Sequence, residues 1–382
     1  MTLKILKPTR IIVGLLFIFS GVVKANDPAG LGYKMQEFFE VWGWHGLDDL
    51  ALPLSLAMIA FEIVAGVAVI IGWRFPLFAW LLLALIVFFT FLTGYAVLSG
   101  KVRECGCFGD CIPLTADQSF AKDLVLLALI LLLFVRRRDV TSLMADRPSM
   151  LALTATTVLS LALQVYVLRH LPIVDCLPYK KGNDILRLMQ MPEGAVPDSF
   201  EIRFVYQKAG VEVEFDADHF PSDFNDTAYT FVKRYDKLVR KGNAVPPISD
   251  FVIIAPSGED TTQALLAQPG LKLIVFSREL PKEPSKWAWA DEMRDIMMTA
   301  KTDSIAIAWV SSDADNLQSS LRKIGLDEIP VMKGDGVAIK TAARVDPTIY
   351  LLDGATILGK WAHADFPHAL KTLREKSLPS RR

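Results

Sequence analysis

The chain has 382 residues, 52% of them hydrophobic, and a formal net charge of -1. That balance excludes a disordered chain and argues against a nucleic-acid binder, whose affinity rests on basic charge. The averages conceal a break near residue 172: long apolar runs precede it, and evenly spread charge follows it. The length leaves room for one membrane domain and one or two water-soluble ones.

Five stretches, 9–25, 52–73, 75–98, 120–135 and 150–168, are apolar and long enough to cross a bilayer, which takes about 20 residues of helix. None alternates with a period of two, which argues against a membrane β-barrel. Lys4, Lys7 and Arg10 ahead of the first stretch resemble the basic start of a signal peptide. Lys24, Asn26 and Asp27 spoil the cleavage site, so the segment is expected to stay as the first membrane helix.

Basic residues collect on the cytoplasmic side of inserted helices. Lys4, Lys7, Arg10, Arg74, Arg136, Arg137, Arg138 and Arg147 share one side, against Lys24, Lys34, Lys101, Arg103 and Lys122 on the other. The N-terminus is therefore expected in the cytoplasm, with the C-terminal region outside after an odd number of crossings.

Four cysteines, Cys105, Cys107, Cys111 and Cys176, fall on that outer side. Three sit in Glu104-Cys105-Gly106-Cys107-Phe108-Gly109-Asp110-Cys111, between the third and fourth apolar stretches, and Cys176 follows the fifth. An oxidising compartment would let disulfides persist there. Three uses compete. A pair could cycle between dithiol and disulfide, the thiolate acting as nucleophile. The thiolates could instead hold a soft metal such as zinc or copper(I), or form static bridges tying the loop to the soluble region. Four cysteines allow three pairings.

The Cys105-Gly106-Cys107-Phe108-Gly109 segment, so placed, resembles the MauE branch of the DoxX-like membrane proteins. Gly14, Phe17, Ser20-Gly21, Lys24, Asp27-Pro28 and Gly30 in and after the first stretch support this, as do Glu62, Gly66 and Gly72 in the second. The resemblance covers about residues 8–137. With the extra helix and large outer domain, the arrangement looks like DoxX-family proteins common in the Bacteroidetes. It implies a four-helix bundle in a bacterial inner membrane. It also implies redox or maturation work: DoxX-like proteins are linked to quinone-coupled sulfur oxidation, and MauE to methylamine utilisation.

Glu62 lies near the middle of the second stretch. A carboxylate in hydrocarbon costs at least about 2.5 kcal/mol, so such residues face a bundle interior or cavity. It reads either as a proton acceptor beside a quinone or other ligand, or as a protonated group hydrogen-bonded to a neighbouring helix. Asp123 is a candidate partner or an interface marker. Lys24 is expected to snorkel to the surface.

Beyond Pro172, short alternating runs such as 200–206 and 229–232 read as half-buried strands, with turns at Ala209-Gly210 and Lys241-Gly242-Asn243. Pro246-Pro247 reads as a linker or corner. Strands are expected at 271–277, 304–310, 348–352 and 356–361, with helices at 284–300, 314–324 and 367–375. Asp353-Gly354 would turn the last hairpin. This order resembles the thioredoxin fold, and Pro347-Thr348 falls where that family keeps a cis-proline beside its active site. The family's Cys-x-x-Cys is missing: 277–290 holds no cysteine, and without a thiolate there is no exchange chemistry. The domain would then serve as a scaffold or dock a partner around Pro347 and Thr348. His363 and His368 read as surface residues. The Asn225-Asp226-Thr227 sequon is a weak signal, and no nucleotide, hydrolase or paired-histidine motif stands in context.

The expected fold class is an α-helical membrane bundle, four-helix DoxX/MauE-like plus a fifth transmembrane helix, followed by an α+β and α/β extracytoplasmic region with a thioredoxin-like fold. The expected divisions are 1–140, 148–172, 178–248 (β-rich) and 250–382 (thioredoxin-like). The expected function is a multi-pass inner-membrane thiol-disulfide redox or maturation factor with a periplasmic C-terminal domain. Cys105, Cys107, Cys111, Cys176 and Glu62 would carry the chemistry, Pro347 and Thr348 would meet a partner, and a quinone would accept electrons. Its partners would be the lipid bilayer and an extracytoplasmic protein with thiols or disulfides; no nucleic acid is expected. No metal site is assigned. The alternatives are a non-enzymatic assembly protein with structural disulfides and a metal-handling protein using the same cysteines.

Overall fold

The computed structural model describes residues 3–100, 106, 108–196, 199–208, 210–216, 219–221, 223–224, 228–240, 242, 245–249, 251–278, 280–281 and 283–377. Cys105, Cys107 and the 225–227 sequon lie outside the described residues.

The first part is six helices: α1 (Leu3–Ala25), α2 (Pro28–Val41), α3 (Asp48–Ile71), α4 (Phe75–Ser99), α5 (Ala116–Val135) and α6 (Asp146–His170). All but α2 are long and apolar enough to cross a membrane, and the protein is a multi-pass membrane protein. Their inward residues, among them Val13, Phe17, Ala65, Val69, Leu82, Ile86, Leu126 and Ile130, form one core. Trp80, Phe91, Val125 and Leu159 point outward and are more than half exposed, as a lipid-covered surface requires. The ends follow local chemistry. Thr115 and Gln118 form a reciprocal capping box that starts α5 earlier than its apolar run suggests. Gly72 closes α3 at φ 78°, a conformation glycine takes without steric cost.

Helix α2 is absent from the sequence expectations. Asp27 caps it, accepting from the Gly30 N–H at 3.0 Å, and Pro28 opens its first turn. Lys34, Glu37 and Glu40 interrupt its apolar residues, so it is neither long nor apolar enough to register as a span.

Helices α1 and α3 meet at glycines. A Cβ on Gly14 would fall 2.7 Å from the Gly66 carbonyl oxygen, and one on Gly66 would fall 2.7 Å from that of Gly14. Small residues permit this backbone approach between membrane helices.

After a single short turn, α7 (Ile185–Leu188), two sheets follow. The smaller joins β1 (Ser199–Lys208), β2 (Val211–Asp216) and β3 (Tyr229–Arg240), antiparallel in the order β2-β1-β3. The larger contains β4 (Ile253–Ile254), β5 (Leu271–Ser277), β6 (Ala306–Ser311), β7 (Val331–Gly334), β8 (Thr348–Asp353) and β9 (Thr356–Ala362). Its order is β4-β7-β6-β5-β8-β9, with β5, β6 and β7 parallel and β8 and β9 antiparallel to their neighbours. Helices α8 (Thr262–Ala267), α9 (Ala290–Thr302), α10 (Ala314–Lys323), α11 (Gly336–Ala342) and α12 (Phe366–Ser377) complete it.

Strands β5, β6, β8 and β9 with helices α9, α10 and α12 follow the expected thioredoxin-like order, to which α8 and α11 are additions. Alternate residues of β5 serve opposite faces. Leu273 and Val275 pack with Met293, Leu321 and Phe366, while Ile274 and Phe276 pack with Ile339, Tyr179 and Ile185. Strands β4 and β7 escaped the sequence reading because they are only two and four residues long.

Candidate functional site

The loop after α4 and the segment after α6 meet, and Cys111 is bonded to Cys176 across 65 residues of sequence. Of the three pairings the sequence allowed, this leaves Cys105 and Cys107 as the other two sulfurs. Cys111 ends a short 3-10 turn, Gly109–Cys111. Gly106 and Gly109 have φ of 65° and 57°, where a side chain would strain the backbone. Asn26, just past α1, fixes the other strand of the bridge. Its side-chain nitrogen donates to the Val174 carbonyl at 2.8 Å, and its oxygen accepts from the Val174 N–H at 2.9 Å.

Beside the loop lies a cavity of about 240 Å³ within the bundle. Phe17, Phe89, Ile86 and Leu126 line its apolar walls, and Phe108, next in sequence after Cys107, closes one side. Glu62 reaches it fully buried, with Lys24 Nζ at 2.6 Å and Ser20 donating at 3.1 Å. Lys24 therefore does not snorkel. It is 3% exposed and stands over the Phe89 ring at 4.9 Å, because a buried carboxylate outbids a distant surface for its charge. Asp123 is 1% exposed, accepts from Thr93 at 3.1 Å and pairs with Lys122 at 2.7 Å. Lys122 in turn stands over Phe108. The cavity thus joins an apolar slot to two ammonium groups and two carboxylates. Among the described residues no group of three His, Cys, Asp or Glu could hold a metal ion.

The soluble region clamps onto the same end of the bundle. Arg344, 7% exposed at its side chain, binds Asp27 at 2.8 Å and Asp110 at 2.5 Å. Burial opposes its charge, but Asp27 and Asp110 outweigh that and raise its pKa. Lys360 binds Asp175 at 2.5 Å; burial pulls its pKa down, and Asp175 opposes the pull. Arg278, Lys340 and Arg344 surround the Tyr33 ring of α2, each 5.3 Å from its centre. Sequence reasoning missed these anchors. The one signal was a repeated dipeptide: each bonded cysteine follows an aspartate, in Asp110-Cys111 and Asp175-Cys176.

The Asp346–Pro347 peptide is cis, as the thioredoxin resemblance implied. Where that fold keeps a redox pair, Arg278 binds Asp346, its backbone N–H to Oδ1 at 2.9 Å and Nε to Oδ2 at 3.0 Å. Burial raises the Asp346 carboxyl pKa against the pull of Arg278. Pro347 and Thr348 are buried, and the Thr348 hydroxyl donates to the Val345 carbonyl at 2.6 Å. Val345 packs with Leu171, just past α6, so a partner would reach this surface only after undocking. His363 is half-buried rather than on the surface, and burial lowers its pKa. His368 is 76% exposed, as expected.

Comparison with known proteins finds matches to separate parts of the chain. The family model of methylamine utilisation protein MauE matches residues 2–136. A domain of unknown function (DUF8463) matches residues 200–241, which cover most of the small sheet. Protein TlpB of Flavobacterium psychrophilum is 28% identical over 129 residues, 33% of this chain and 35% of that protein. The match spans about a third of that relative. Among solved structures, peroxiredoxin Q of Xanthomonas campestris aligns over 34% of this chain and 93% of its own, at 14% identity and TM-score 0.27. A thiol:disulfide interchange protein from Bacteroides sp. aligns over 34% and 90%, at 14% identity and TM-score 0.26. Residues 2–136, which build four of the membrane helices, α2 and the cysteine loop, are the part of the chain that matches the MauE family.

Proposed function

We propose that this membrane protein exchanges disulfides with a thiol-bearing partner at one membrane face and passes the electrons to a quinone. The supporting observation is the cavity closed by Phe108, one residue from Cys107, with the Lys24–Glu62 pair inside. In this reading Cys105, Cys107, Cys111 and Cys176 are the exchanging sulfurs. The walls suit a flat apolar ring, and Lys24 and Lys122 would be the donors that hold its carbonyl oxygens. When bound, a quinone supplies a two-electron, two-proton sink. The chain's own part is to exclude water, to orient the ring against Phe17, Phe89 and Phe108, and to hold a proton at the Glu62 or Asp123 carboxyl. The thioredoxin-like domain, lacking thiols, positions the cysteine loop through Arg344 and Lys360. In this reading the N-terminus is cytoplasmic and the C-terminal domain periplasmic, which the collection of basic residues on one side supports.

The test is quinone reduction by the full-length protein in lipid nanodiscs, supplied with a reduced dithiol protein. Turnover that disappears in Cys105→Ser and Cys107→Ser, and falls steeply in Lys24→Met, supports the reading. Turnover that persists in all three sinks it. The alternative, an assembly protein with inert bridges, draws support from Cys111–Cys176 bracing the anchor residues Asp110 and Asp175. It predicts no turnover and a bridge that resists reduction below about -300 mV.

A further inference from the structure

A groove of about 630 Å³ opens where the two halves of the chain meet. Tyr33 and Glu37 of α2 form one side, and Val337, Lys340 and Arg344 of α11 and its continuation form the other. Cys176 lines this groove and Cys111 does not. Both cysteines are half-buried, so the difference is that this groove leads to Cys176, while Asp110, held by Arg344, fixes the Cys111 turn in place.

We propose that the groove receives an extended, cysteine-bearing segment of a partner protein, whose thiolate attacks Cys176. This rests on the disulfide-exchange reading above and assigns the entry sulfur and the substrate class. The partner thiolate forms a bond to Cys176 Sγ while the Cys111–Cys176 bond breaks and Cys111 leaves as a thiolate. A second partner thiolate then displaces Cys176. The partner is oxidised by two electrons to its disulfide, and the Cys111–Cys176 disulfide is reduced to two thiols.

The size falls in the range that encloses a small ligand or a few residues of peptide. The charge pattern selects between them. Lys34, Lys340 and Arg344 oppose Glu37, Glu40 and Asp110 along the lining, which suits the mixed polar groups of a peptide better than a small anionic thiol. Lys340, held by Gln36 and the Tyr33 ring rather than by a carboxylate, favours the incoming sulfur as thiolate.

The experiment uses the full-length protein in nanodiscs, a short cysteine peptide and glutathione. In Cys111→Ser, Cys176 should form a mixed disulfide with the activated peptide about tenfold faster than Cys111 does in Cys176→Ser, since misplacement of a reacting group carries such factors. Equal rates, or the reverse order, overturn the assignment. With both cysteines present, Val337→Trp should slow reduction of the native bridge by the peptide more than it slows reduction by the smaller dithiothreitol. Val337 is 70% exposed, so the larger ring fills the groove without entering a core. If the peptide is unaffected by Val337→Trp, or glutathione matches it in rate, the groove is not the docking site. If dithiothreitol reduces the bridge but no thiol peptide does, the groove proposal fails and the structural reading of the bridge gains. A bridge inert to dithiothreitol as well would remove the exchange reading itself. Neither readout depends on a quinone.

Discussion

Arg344 and Asp27 stand 317 residues apart in the chain and 2.8 Å apart in space. Their contact joins the thioredoxin-like domain to the head of α2, and Asp110 completes the cluster from the cysteine loop. Removing one member of a buried ion pair leaves the others desolvated and uncompensated, at a cost of about 3–5 kcal/mol. Arg344→Met should therefore undock the domain, raising amide hydrogen exchange around 171–178 and along α2. An exchange pattern identical to that of the parent protein would show that the anchor lies elsewhere.

Lys24 and Glu62 pose the same question inside the membrane. Lys24→Met alone or Glu62→Met alone should destabilise the bundle by about 3 kcal/mol, because each leaves a buried charge without its partner. The double substitution should recover most of that loss, since an apolar pair of similar volume is often neutral. Unfolding in detergent micelles, read as a double-mutant cycle, checks this. Two single losses that simply add would mean that the pair is not coupled.

Cys111 and Cys176 form one bond, so their replacements cannot add. Each of Cys111→Ser and Cys176→Ser should lower stability by about 2–4 kcal/mol, and the double variant should lose no more than either alone. Thermal denaturation of the three variants, alongside the parent under reducing conditions, is the measurement. A double variant markedly weaker than the singles would place part of the effect outside the bridge.

Gly66 carries a prediction about geometry. A Cβ there would sit 2.7 Å from the Gly14 carbonyl oxygen and 2.8 Å from Ile18 Cγ1, so α1 and α3 must part to admit one. Gly66→Leu should separate the two helices, pull Lys24 from Glu62 and abolish any activity that depends on the cavity. Cysteine cross-linking between α1 and α3 would report the separation; unchanged cross-linking would contradict the packing.

His363 should make the docked state sensitive to mild acid. Burial holds its pKa below the ordinary 6.5, with Arg169 and His170 adding to the effect and Asp346 and Asp365 opposing it. Between the folded and ordinary values the unfolded or undocked form binds the extra proton, so stability rises with pH across that window. It should fall as the pH drops through 6.5, and His363→Gln should flatten the dependence. Melting temperatures measured from pH 7.5 to 5 in about half-unit steps would decide it; equal slopes would remove His363 as the cause.

The sequence by itself determined the membrane spans, because unbroken apolar length is a local property that hydrocarbon demands of each helix separately. It also determined most of the thioredoxin-like order from residue 271 onward, β7 and α11 excepted, where period, turn residues and the Asp353-Gly354 hairpin agree. The absent Cys-x-x-Cys and the position of Pro347 were legible for the same reason. Glu62 stood out because a carboxylate in an apolar run is conspicuous wherever it points. Only the tertiary structure decided what those residues meet. Lys24 turns inward because Glu62 lies on a helix 38 residues away. Cys111 finds Cys176 across two membrane helices, and Arg344 finds Asp27 and Asp110 across most of the chain. Pairings at such separations leave no periodic trace in a single sequence. Their energy comes from removing charges and sulfurs from water together, and that happens only once the helices and the sheet have brought them to one place.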